Sequence, residues 1–126
     1  MRMKPILLTL CAFTFLVSCY QNERDCTYFK TGTFYSNIIL NGEVTTSQFV
    51  RTNTMQIETY NGHTDSTTVR WINDCEMIFK TINPKNRAEK KDIHLKILNT
   101  TDTSYTFEYS YVGKVKKEKG IAYKLN

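Results

Sequence analysis

The chain has 126 residues, a formal net charge of +5 at pH 7 and four cysteines. That length fits one domain with a modest core and excludes a multidomain machine. The basic bias is mild and selects no partner by itself, and the two histidines, His63 and His94, lie in no metal- or nucleophile-type pattern.

The first segment is the most distinctive. Arg2 and Lys4 form a short basic region, and Pro5 to Val17 is a mostly apolar run too short to span a bilayer, which needs about 20 residues. Leu16-Val17-Ser18-Cys19 then reads as a lipobox, the cleavage and lipidation site of a bacterial lipoprotein. The reading predicts removal of residues 1–18 as a signal peptide and acylation of Cys19. An ordinary secretory signal with a chance cysteine is the plainer alternative. Two or more acyl chains would anchor the protein stably. Its expected place is the cell envelope, lipid-anchored to the outer membrane, with the leaflet left open. Arg2 and Lys4 leave with the leader and no acid does, so the mature charge falls to +3 over 108 residues.

Residues 19–25 are polar and short, a tether to a domain spanning 26–126. Cys11 leaves with the leader and Cys19 takes lipid, which isolates Cys26 and Cys75 as a pair in an oxidising compartment. They are expected to form a disulfide.

From Cys26 onward Thr, Val, Ile, Tyr and Phe alternate with polar residues, and turn signals recur at short intervals. Asn41-Gly42 and Asn61-Gly62 fit two-residue hairpin turns, whose central positions need positive φ. The pattern predicts eight strands, over about 28–40, 43–51, 54–60, 65–72, 76–82, 93–99, 104–112 and 115–125. Asn83 to Asp92 breaks the rhythm. An N-cap residue, Pro84 at the first helical position and good helix formers after it predict one short helix between the fifth and sixth strands.

Alternation also assigns faces. Tyr105, Phe107, Tyr109 and Tyr111 share one side of the seventh strand, and Ile93, Leu95 and Ile97 one side of the sixth. Ile121, Tyr123 and Leu125 form the apolar set expected on the eighth. Eight consecutive strands with one oily face are most economically covered by closing into a barrel, which also removes the edges. The expected fold is all-β, an eight-stranded antiparallel meander closed as a small lipocalin-like barrel.

Such a barrel is filled by its own side chains or holds one small ligand. Phe34, Trp71, Phe79, Tyr105, Phe107, Tyr109 and Tyr111 are the candidate ligand-binding wall. Plain core packing is the rival reading, and fourteen mature aromatic residues supply much bulk to fill the space. Arg70 is a candidate cap over an aromatic ring at a barrel end, within a corner that also holds Trp71 and Cys75. The lysine-rich segments 85–91 and 114–119 read as a solvated loop and a charged edge rather than a nucleic-acid surface. No nucleophile elbow, H-E-x-x-H, P-loop or G-x-G-x-x-G occurs, so no catalytic residue, metal site or cofactor is assigned.

Four segments taken together, residues 26–34, 70–76, 83–88 and 105–110, resemble a group of short lipoproteins from flavobacteria and their relatives. The resemblance covers nearly the whole mature chain and implies no particular activity. Some sequences of that group go under the label DNA topoisomerase IV, but 108 exported residues cannot hold an ATPase domain, a metal-binding domain and a DNA-cleaving domain. Gly32-Thr33-Phe34 is also similar to the G-x-W of lipocalins, with Phe in place of Trp. The functional expectation is a non-catalytic binding or interaction module that holds a small hydrophobic or aromatic ligand; the alternative is a filled barrel that docks another envelope protein.

Overall fold

A computed structural model describes residues 23–126. The expected leader over 1–18, the expected lipidation site Cys19 and the start of the expected tether lie outside the described residues. Eight strands follow in chain order: β1 (Gly32–Leu40), β2 (Glu43–Arg51), β3 (Met55–Tyr60), β4 (His63–Asn73), β5 (Glu76–Thr81), β6 (Ile93–Thr100), β7 (Ser104–Tyr111) and β8 (Glu118–Lys124). Each pairs antiparallel with the next, and β8 returns to β1 to close the barrel. The expected all-β meander is therefore present as an up-and-down closed barrel.

The turns explain the meander. Asn41 and Asn61 have φ of 51° and 46°, and Gly42 and Gly62 have 80° and 76°. Positive φ at both central residues twists the chain so that the flanking strands stay paired. Two ends result. The 41–42 and 61–62 turns and the longer connections 82–92 and 112–117 form one end, here the mouth. The 52–54, 74–75 and 101–103 turns and both ends of the described chain form the other, the floor.

Three expectations change. No helix forms over 83–92. Asn83 takes φ 55°, incompatible with a helix start, and local bonds such as Asn86 Oδ1 accepting from Glu89 N (2.9 Å) hold isolated turns instead. Nearly all of this segment is exposed, so no packed face offsets the cost of nucleating a short helix. Among the described residues the helical turn is a 3₁₀ turn at Thr27–Phe29, where the first strand was expected to begin. The Cys26–Cys75 disulfide (Cα–Cα 5.2 Å) draws the chain across the floor there before β1 can start.

The third change is the phase of β8. Ala122 is fully buried and Gly120 faces inward, while Ile121 and Tyr123 face out. The cause is Phe107, whose ring fills the space at Gly120; a Cβ there would lie 2.6 Å from Phe107 Cζ. Outside, Tyr123 stacks on Tyr35 at 4.7 Å between centroids, which shields the outward ring.

The inward rows meet in one core. Phe34, Phe49, Val69, Met77, Phe79, Leu95, Ile97, Tyr105, Phe107 and Ala122 are buried together with Cys26 and Phe29. Side chains alternate in and out along each strand, so one residue in two reaches this core.

Candidate ligand-binding cavity

The floor is sealed from both sides. The 3₁₀ turn closes it from below and pushes fully buried Phe29 under the barrel, edge-on to Tyr105 at 5.3 Å. The disulfide pins the turn to the β4–β5 corner, and Lys30 Nζ pairs with Asp74 at 2.8 Å. Arg24 Nη1 donates to Ile97 O (2.8 Å) and Lys124 Nζ to Tyr28 O (2.7 Å).

Arg51 ends β2 in phase with inward Ser47 and Phe49 and is 1 % exposed. Nε donates to Lys30 O at 3.1 Å and Nη2 to Phe29 O at 2.6 Å. Nη1 donates to Gln56 Oε1 at 3.0 Å, and both terminal nitrogens donate to the Tyr105 hydroxyl, at 3.2 and 3.1 Å. Its guanidinium carbon lies 4.9–5.8 Å from the centroids of Phe34, Phe49, Trp71 and Tyr105. This ring cage suits a delocalised cation whose edges are hydrogen-bonded. Arg70, the expected cap, points outward and is exposed. Arg51 carries that role because its register, paired with Gly32 and Gln56, places it on the inner face. The signal for it was parity: a basic residue two positions after Phe49 and four after Ser47, on the same face of the strand.

Above the floor lies a cavity of about 200 Å³. Phe79, Leu95, Phe107 and Tyr109 supply apolar wall, and Ser36, Arg51, Gln56, Glu58, Thr67 and Tyr105 supply polar groups. A dry cavity of about 150 Å³ admits benzene, so the volume suits a single ring or a short chain. The Ser36 and Ser47 hydroxyls share one hydrogen bond at 2.9 Å on this wall. Glu58 hangs on the wall above Gln56. Burial pushes its carboxyl above the usual range, nearby Asp65 adds to that, and hydrogen bonds from Ser47 and Gln56 pull the other way. Burial likewise raises the Tyr109 phenol, with Glu118 and Glu58 contributing.

At the mouth, Ile93 and Tyr109 also border a wider groove of about 610 Å³ beneath the 112–117 connection. Lys114, Val115 and Lys116 roof it, and Tyr111 lines it.

The seven sequence-derived candidates therefore divide into three levels. Phe79, Tyr105, Phe107 and Tyr109 line the cavity. Phe34 and Trp71 lie below it, around Arg51. Tyr111 stands at the mouth, half-exposed, with Lys91 Nζ 5.4 Å over its ring. His63 is exposed on the β3–β4 hairpin, and His94 sits outside the barrel, 3.9 Å from Glu76. Among the described residues no group of three metal-ligating side chains converges. Comparison with known proteins finds no match to this chain among family models, curated proteins or solved structures.

Proposed function

We propose that this chain is a lipid-anchored envelope protein whose barrel binds one small hydrophobic or aromatic molecule and performs no catalysis. The observation that carries the reading is the cavity of about 200 Å³ left among the barrel's inward aromatic residues. Ile93 and Tyr109 border both this cavity and the mouth groove, which supports entry from the mouth. The apolar leader, the lipobox and the disulfide support an oxidising, envelope location. The chain enters the barrel at the floor, where Arg24 and Asp25 bond to β6. An anchor at Cys19 would hold the floor toward the bilayer and turn the mouth away from it.

Native mass spectrometry of gently purified protein tests the binding. A mass addition that disappears on denaturation is expected; a barrel that is persistently empty and refuses every small apolar probe overturns it. Intact mass tests the anchoring: loss of residues 1–18 with acyl mass on Cys19 is expected, and a retained Met1 without acyl mass overturns it.

A second reading rests on the outer wall. Exposed Ile39 and Val44, with Leu98 and Ile121, edge a shallow apolar groove of about 500 Å³. This face could dock another envelope protein, and crosslinking in cells would then give a discrete partner band.

A further inference from the structure

Arg51 brings a full positive charge to the cavity floor without a counter-ion. All of its hydrogen bonds go to neutral acceptors: two main-chain carbonyls, one amide oxygen and the Tyr105 hydroxyl twice. The ion pairs among the described residues involve Lys30, His94, Lys116 and Lys117 instead. A buried charge is costly unless it is paired, and the ring cage supplies only part of the compensation. Glu58 also lines the cavity, but the ion pairs among the described residues do not join it to Arg51.

Tyr105 shows the same deficit from the other side. Its oxygen accepts from both terminal nitrogens of Arg51, which occupies its two lone pairs. Its own proton is left over, and no acceptor for it occurs among the described residues. Tyr105 is 1 % exposed and borders the cavity with Arg51. A buried donor beside a cation thus belongs to a residue that lines a space large enough for one ring.

We propose that the cavity takes a small organic carboxylate, its head accepting the Tyr105 proton against the Arg51 charge and its ring or short chain lying among Phe79, Phe107 and Tyr109. This rests on the reading of the barrel as a ligand-binding module and names the class of ligand. Charge-assisted hydrogen bonds are roughly twice as strong as neutral ones, so head-group charge should decide affinity. The size fits: benzoate and a six-carbon acid are both of single-ring bulk.

The test titrates the folded, disulfide-bonded protein with benzoate, benzamide, toluene and hexanoate, followed by NMR at the Tyr105, Phe107 and Tyr109 signals. Benzoate or hexanoate should bind at least about tenfold more tightly than benzamide and toluene. Tyr105→Phe should lose about tenfold in carboxylate affinity and keep toluene affinity within about twofold. Retained toluene binding shows that the variant still forms the cavity. Equal binding of benzoate, benzamide and toluene, unchanged in Tyr105→Phe, overturns the anchor and leaves the apolar-ligand reading standing. Carboxylate shifts confined to the mouth lysines also overturn it. Failure of all four probes to reach the cavity signals overturns both readings.

Discussion

At the floor of this barrel a covalent bridge, a 3₁₀ turn and a buried guanidinium tie residues 26–30 to the 74–75 corner, β2, β3 and β7; at the mouth four connections meet with little between them. Floor groups such as Phe29, Arg51 and Tyr105 are almost completely buried, whereas Val115 at the mouth is 93 % exposed. At the floor Arg51 bonds to Phe29, Lys30, Gln56 and Tyr105, leaving the Tyr105 proton and Trp71 Nε1 without acceptors among the described residues, while the mouth presents lysines, backbone and single aromatic rings to water. The contrast explains how one small barrel can be both stable and hollow. Stability is concentrated where the disulfide and Arg51 sit, which leaves the middle of the barrel free of the demand to fill itself. Under the proposed ligand-binding reading, the mouth is the end expected to open, since regions that open are drawn from the weakly held parts of a fold.

Cutting the floor staple should have the largest effect. Cys26→Ala with Cys75→Ala removes a bridge spanning 49 residues, worth about 4 kcal/mol in the chain-entropy view. A thermal melt should show the midpoint fall by more than about 10 °C. A fall of only a degree or two would mean that the floor is not the stable end.

Arg51→Met should follow closely, with a loss of about 3 kcal/mol in denaturant unfolding. It leaves Phe29 O, Lys30 O and Gln56 Oε1 buried without their donor. Arg51→Lys keeps the charge but cannot span acceptors in the same fork, so it should recover less than half of that loss. Full recovery by lysine would show that charge rather than geometry holds the plug.

Gly120→Ala tests the hollow middle. The new methyl would meet the Phe107 ring, which can move only into the cavity. We expect a cost of about 1–2 kcal/mol together with weakened binding of any interior ligand. A neutral effect on both would mean that the Phe107–Gly120 contact does not shape the space.

Glu58→Gln should change the pH dependence. The carboxyl is raised in the folded protein, so the neutral form is the better tolerated one. Stability associated with Glu58 is therefore full below the ordinary glutamate value of 4.5 and is lost as pH rises through the folded value. The glutamine variant should melt a few degrees higher than the parent near pH 7 and equally near pH 4. Val115→Ser at the mouth should have the smallest effect, within about 0.5 kcal/mol.

Most of the framework was legible in the sequence, because its signals are local. Alternation located all eight strands, the two Asn-Gly pairs gave the hairpins, and the cysteine arithmetic gave the disulfide. The misreadings share a different cause, since each depends on a neighbour distant in the chain. Ile121 and Tyr123 look like core residues until Phe107 claims the space inside and Tyr35 stacks outside. Tyr28 to Lys30 has strand composition, but the bridge to Cys75 folds it under the barrel. Residues 83–92 carry helix formers with nothing to pack against. Arg51 was hidden because a buried cation contradicts the usual polarity of an inward position, and only the convergence of Phe29, Gln56 and Tyr105 makes it tolerable.

The hollow interior is the claim on which the functional account depends, and crystals pressurised with xenon test it most directly. Xenon density enclosed by Phe79, Leu95, Phe107 and Tyr109 is the predicted result. Well-ordered crystals that show those rings packed against one another, with no gas site inside the barrel, would contradict it.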